Sequence, residues 1–159
     1  MATTNLSKYD ASKIPSAKGM KIGIVVAEWN ADITENLLKG AYNTLLKHGI
    51  EEEDIIVNHV PGSFELPLGA QIILEKLYLD AVICLGSVIR GETSHFDFVC
   101  QAAALGVKDV SLKYNKPVVF GVLTDDTKQQ AVDRSGGKLG NKGDEAAITA
   151  IKMVALGKA

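Results

Sequence analysis

The sequence predicts an α/β protein, an open parallel sheet with helices on both faces. Short apolar bursts alternate with longer stretches whose apolar residues recur at helical spacing. The bursts are rich in Val and Ile at consecutive positions, the pattern of strands covered on both sides. With 159 residues, 47% of them hydrophobic, the chain can bury a core without disulfide or metal staples.

After a polar leader (1–19), KIGIVVA (21–27) is the first strand. Leu37, Leu38, Ala41, Tyr42, Leu45 and Leu46 trace the first helix, which His48-Gly49 closes. IIVNHV (55–60) is the second strand, stopped by Pro61-Gly62. Leu66, Ala70, Ile73, Leu74 and Leu77 mark a helix with Pro67 in its first turn. AVICLG (81–86) is the third strand. The next helix has its apolar side at Phe96, Val99, Cys100, Ala103, Ala104 and Val107. PVVFGVLT (117–124) is the fourth strand, where a Pro is tolerated only at the start. A short helix near 129–134, a basic Gly-rich loop (135–143) and a helix through Ala146–Ala155 complete one domain, 1–159, with its core in 20–157. Right-handed crossovers place the strands most simply in the flavodoxin-like order 2-1-3-4, a three-layer sandwich. Four strands make a narrow sheet, to which a neighbour's leader could add a fifth.

Composition narrows the function. A net charge of -2 gives no electrostatic case for nucleic acid or an anionic membrane. No apolar run approaches the ~18 residues of a membrane span, and the leader lacks the apolar stretch of a signal peptide. Cys84 and Cys100 have neither metal-ligand spacing nor a disulfide-rich context, so a reducing cytoplasm is the expected compartment.

Ligands of open parallel sheets bind beyond the carboxyl ends of the strands. Those ends carry Glu28-Trp29-Asn30, Pro61-Gly62-Ser63-Phe64-Glu65, Ser87 to His95, and Thr124-Asp125-Asp126. Each has a plainer reading: Trp29 as a packing anchor, 61–63 as a turn, Glu65 as a helix cap, Arg134 as a solvated charge, Asp125-Asp126 as a helix start. GSVIRGETSH (86–95) comes close to a phosphate-binding P-loop, G-x-x-x-x-G-K-[ST], but Glu92 stands where the lysine belongs. That excludes a nucleotide-triphosphate site. The backbone amides of Glu92 and Thr93 at a helix start can still hold one phosphate, with Arg134 or Lys142 as the cation. A neutral imidazole at His95 can accept a proton and return it elsewhere.

WN after the first strand, PGSFELP after the second, VIRGETSHFD after the third, the VVFGVLT strand and R-x-G…GNKG together resemble the 6,7-dimethyl-8-ribityllumazine synthase family over roughly 20–157. The resemblance implies condensation of 5-amino-6-(D-ribitylamino)uracil with (S)-3,4-dihydroxy-2-butanone 4-phosphate, without cofactor or metal. It implies that Trp29 stacks on the pyrimidine beside Asn30. Ser63, Phe64 and Glu65 would line the pyrimidine and ribityl site, and Ser87, Val88 and Ile89 would touch the ring through their backbone. Glu92, Thr93 and Arg134 would bind phosphate, His95 would move the proton, Lys142 would lie nearby, and Phe120 would come from an adjacent subunit. It further implies small-molecule substrates and a homo-pentamer; the short GGKLGNKG connection points to pentamers closed into an icosahedral shell. The competing readings are a flavin-binding carrier of flavodoxin type, a non-catalytic shell protein, and a sister pentameric riboflavin synthase.

Overall fold

A computed structural model describes residues 4–159. Its sheet has the order β2-β1-β3-β4, every neighbouring pair parallel, as the alternating pattern predicts. The strands are β1 (Ile22–Ala27), β2 (Ile55–Val60), β3 (Ala81–Ile89) and β4 (Val118–Asp125). Between them run α1 (Ala31–Lys47), α2 (Leu66–Lys76) and α3 (His95–Tyr114), followed by α4 (Lys128–Arg134) and α5 (Lys142–Lys158).

Every residue of β1 is buried, because this central strand meets a helical layer on each face. Its side chains divide with the two-residue period of a strand. Ile24 and Val26 join Leu37 and Leu45 of α1, Ile83 of β3 and Ile151 of α5 in one core. Val25 and Ala27 join Leu66 and Ala70 of α2 and Val107 of α3 in the other.

Several boundaries differ from the expectation for physical reasons. β3 does not end at Gly86; Ser87, Val88 and Ile89 pair with Leu123, Thr124 and Asp125, so the β4 ladder carries them on. Asp125 and Asp126 do not begin α4. Asp125 closes β4, and Thr127 caps the helix by accepting from the Gln130 N–H. The basic loop contains a small antiparallel hairpin, β5 (Ser135–Gly137) and β6 (Gly140–Asn141). Part of the leader holds it: the Leu6 N–H donates to the Leu139 carbonyl at 2.7 Å, and the Asn141 N–H to Ser7 Oγ at 2.9 Å. On α3, Ala104 is exposed rather than on the apolar side, and Phe98, Leu105 and Leu112 form a second, exposed stripe at seven-residue spacing.

Candidate active site

The carboxyl ends of β1, β2 and β3 open into a cavity of about 470 Å³. Trp29, Asn30, Ser63, Phe64, Glu65, Ser87, Val88, Ile89 and His95 line it, together with Val99 of α3, which the sequence suggested only as a core position. Trp29 is 66% exposed and Phe64 59%, so two aromatic rings stand at the rim with much of their surface open to solvent.

Two glycines shape the walls by what they omit. A Cβ on Gly62 would lie 2.6 Å from the Trp29 ring, so the indole rests directly over bare backbone. A Cβ on Gly86 would lie 2.4 Å from Ser63 Oγ. Gly86, the first glycine of the apparent P-loop, is thus a strand residue that admits the Ser63 turn against the sheet. That turn is a single 3₁₀ stretch, Ser63–Glu65, and Glu65 Oε2 accepts from the Gly62 N–H at 3.1 Å. Glu65 thus caps this turn and not, as expected, the following helix α2, at whose N-cap position it makes no side-chain capping hydrogen bond.

Asn30 adopts the left-handed conformation, φ 59°, which Asn tolerates better than most side chains. Its Nδ2 donates across the site to the Ser87 carbonyl at 2.9 Å. The Ser87 backbone expected to face a ring is therefore already engaged through its oxygen. Ser87 Oγ, by contrast, is buried with no hydrogen-bond partner among the described residues. A buried hydroxyl without a partner costs free energy unless a ligand supplies one.

The loop after β3 is shorter than the P-loop comparison suggested, running only from Arg90 to Ser94. Glu92 and Thr93 lie in it, exposed, immediately before the amino end of α3. Thr93 Oγ1 accepts from the His95 N–H at 3.3 Å, fixing the first turn from which the imidazole reaches the cavity. The unpaired amides of a helix start favour an anion there.

Arg90 braces this loop, a role that no local sequence signal revealed. Its Nε donates to Asp126 Oδ1 at 2.8 Å and its Nη1 to Asp97 Oδ1 at 3.3 Å. Its guanidinium carbon sits 4.1 Å from the Phe96 ring centroid. The Asp126 hydrogen bond, then the charges of Asp97 and Asp126, hold Arg90 more firmly protonated than a free arginine. Asp126 is 36 residues from Arg90 in the chain, so only folding shows the pair.

The remaining expected residues are not in this cavity. Phe120 and Lys142 line a different groove, about 280 Å³, between the edge strand β4 and α5. Lys142 is paired there with Glu145. Arg134 lies on α4 and is not a solvated charge. Its side chain is partly buried, with Nη1 donating to the Gln130 carbonyl at 3.1 Å and lying 3.8 Å from Asp125 Oδ1. Asp125 itself is buried at the end of β4. Burial pushes its carboxyl above the usual carboxylate range, against the opposing pull of Arg134.

A model of the 6,7-dimethyl-8-ribityllumazine synthase family matches residues 19–158, nearly the whole chain. The chain belongs to that family. Among its relatives, the 6,7-dimethyl-8-ribityllumazine synthase of Cytophaga hutchinsonii is 61% identical, over 97% of this chain and 96% of its own length. The protein of that name from Parabacteroides distasonis is 59% identical over 97% and 98%. The one from Porphyromonas gingivalis is 52% identical over 98% of each. The match includes both the Trp29–His95 cavity and the β4–α5 groove.

Proposed function

We propose that this chain is a lumazine synthase. It condenses 5-amino-6-(D-ribitylamino)uracil with (S)-3,4-dihydroxy-2-butanone 4-phosphate, releasing water and inorganic phosphate in the penultimate step of riboflavin biosynthesis. The observation that carries this reading is the convergence of WN, SFE and SVI…H, from separate parts of the chain, on one cavity.

The pyrimidine lies against Trp29, between the Ser63–Glu65 turn and the end of β3. The Ser87 hydroxyl, free of any internal partner, bonds a polar atom of that substrate. Its primary amine adds to the ketone of the second substrate, and loss of water gives a Schiff base. His95 takes and returns the protons these steps move, work typically worth ~10²–10⁴ in rate. Holding the two reactants together supplies a further advantage, since an oriented pair reacts as one molecule. The amides of Glu92 and Thr93 hold the phosphate, which leaves with its bonding electrons as a proton is removed from the adjacent carbon. The ribityl-bearing nitrogen then adds to the resulting carbonyl and a second water is lost, closing the ring.

A neighbouring subunit completes the site. β4 is a sheet edge, and it presents Phe120 beside Lys142, with Arg134 on the adjoining α4. Set against a second chain's cavity, that surface delivers an aromatic wall and the missing cation. The exposed stripe Phe98, Leu105 and Leu112 on α3 gives the apolar contact that such an assembly needs. The assembly is a homo-pentamer, with the short hairpin between Ser135 and Asn141 favouring closure of pentamers into an icosahedral shell. The chain acts as one domain with its core in 20–157. No helix among the described residues is long and apolar enough to cross a membrane. The enzyme works in the cytoplasm on small molecules, without a cofactor.

Supplying both substrates to the intact protein and following the lumazine by its absorbance tests the reading. Product formation supports it; absence of product from well-folded, assembled protein removes it. Light scattering distinguishes a pentamer from a shell.

A further inference from the structure

We propose that Asp125 is an ion-pair partner of Arg134 that competes with the substrate's phosphate for it. The guanidinium is held by a carboxylate in the empty site and is handed over when the anion arrives. The inference rests on Arg134 being the phosphate cation proposed above.

The geometry is unusual for an ordinary ion pair. Arg134 Nη1 lies 3.8 Å from Asp125 Oδ1, too far for a hydrogen bond, while the same nitrogen donates to the Gln130 carbonyl at 3.1 Å. Most of the guanidinium's donors therefore remain for an anion. Asp125 is only 6% exposed, and its Oδ2 has no hydrogen-bond partner among the described residues. A carboxylate kept there purely for stability would be expected to satisfy both oxygens. Instead the backbone secures it: the Asp125 carbonyl accepts from the Arg90 N–H at 2.9 Å, which fixes the end of β4 and leaves the side chain half-paired.

The charged groups facing this carboxyl are few. Arg134 approaches from α4, and Asp126, next in the chain, adds a like charge that Arg90 partly offsets. Asp133, the other acid on α4, is turned to Gln129 and Lys138. Burial already favours the neutral form of Asp125. A bound dianion on Arg134 adds repulsion and favours that form further. Anion binding is then coupled to uptake of a proton by Asp125, and its return to the carboxylate form helps expel the inorganic phosphate made in the reaction.

Sulfate is a suitable probe because its own charge stays constant across the range used. Its affinity for the assembled protein is measured by calorimetry at about pH 4 and about pH 8, a window that starts within the ordinary carboxylate range and extends well above it. The measurement is repeated in a His95→Asn background, so that imidazole titration does not contribute. Wild type is expected to bind sulfate about fivefold more weakly at the higher pH, as Asp125 becomes charged. Asp125→Asn should bind at the higher pH about as tightly as wild type does at the lower, with the pH slope flattened. Asp125→Ser, which also removes the charge, should behave alike if the amide distorts the site. Weaker sulfate binding in both variants, or an unchanged pH slope, overturns the proposal. So does undiminished sulfate binding by Arg134→Ala. Lumazine formation is scored separately: the expected sulfate pattern in a protein that makes no lumazine would sustain the Asp125–Arg134 coupling and remove the enzymatic reading.

Discussion

The Trp29–His95 cavity and the groove along β4 differ in how much of their form one chain holds by itself. The cavity is braced from within: bare backbone at Gly62 and Gly86 seats the indole and the Ser63 turn, and Asn30 ties two strand ends together. Arg90 fixes the loop before His95. The groove is braced where β4 begins, with Ser111 Oγ donating to the Lys116 carbonyl at 2.7 Å and accepting from the Val118 N–H at 3.2 Å, but its other wall is open. Phe120 and Lys142 line it on an unpaired sheet edge, and Lys142 is occupied by Glu145 of its own helix. A preformed half beside an open half is what a site shared between subunits requires.

The largest effect should come from His95→Ala, lowering kcat by about 10²- to 10⁴-fold with little change in KM. An unimpaired rate would remove the proton role while leaving the cavity intact. Co-assembling His95→Ala with Phe120→Ala subunits sharpens the contrast between the two regions. If each site takes one half from each neighbour, random mixing in about equal amounts should restore about a quarter of the sites. No recovery would mean that both halves act within one chain. Next, Arg134→Ala should raise the KM for the butanone phosphate about tenfold to a hundredfold, the scale of losing a charged hydrogen-bond partner. A rise confined to the pyrimidine's KM would contradict the assignment. Trp29→Ala should weaken the pyrimidine by about tenfold, as loss of one stacked ring does, and leave the phosphorylated substrate nearly unaffected. The smallest effect is structural. Gly86→Ala forces Ser63 aside and should cost about 1–3 kcal/mol in denaturant unfolding, with the groove unchanged. An unshifted midpoint would show that the Ser63 turn yields freely.

The sheet order was legible because periodicity and right-handed crossovers leave few arrangements for four buried parallel strands. The cavity residues other than Val99 were legible for a related reason: they lie at or just beyond strand ends, where such folds bind ligands. What sequence reading misplaced depends on distant partners. Ser87 to Ile89 belong to β3 because β4 pairs with them, and Asp125 is a buried strand end because β4 runs one residue further. Arg90 carried no reading of its own in the sequence, because its partner Asp126, at 2.8 Å, lies 36 residues away. Asp125 looked like a helix start, and only its burial and its half-used carboxylate distinguish it. The division of the expected site between two surfaces was foreshadowed by the resemblance for Phe120 alone. No local pattern announced it for Lys142 and Arg134.

The two edges of the sheet are also unlike, and this bears on the life of the newly made chain. β2 has exposed Asn58 and His59, with His59 paired to Glu35 at 2.8 Å, features that discourage another strand from docking. β4 buries Val118, Val119, Val122 and Leu123 in the chain's own cores, but no strand among the described residues covers its outer backbone edge. A subunit released from the ribosome at low concentration carries an adhesive border until a sister molecule reaches it. Yield of native protein should therefore depend on how quickly siblings meet: dilution or slow synthesis should prolong the unassembled stage, and crowding of unassembled subunits should favour aggregation.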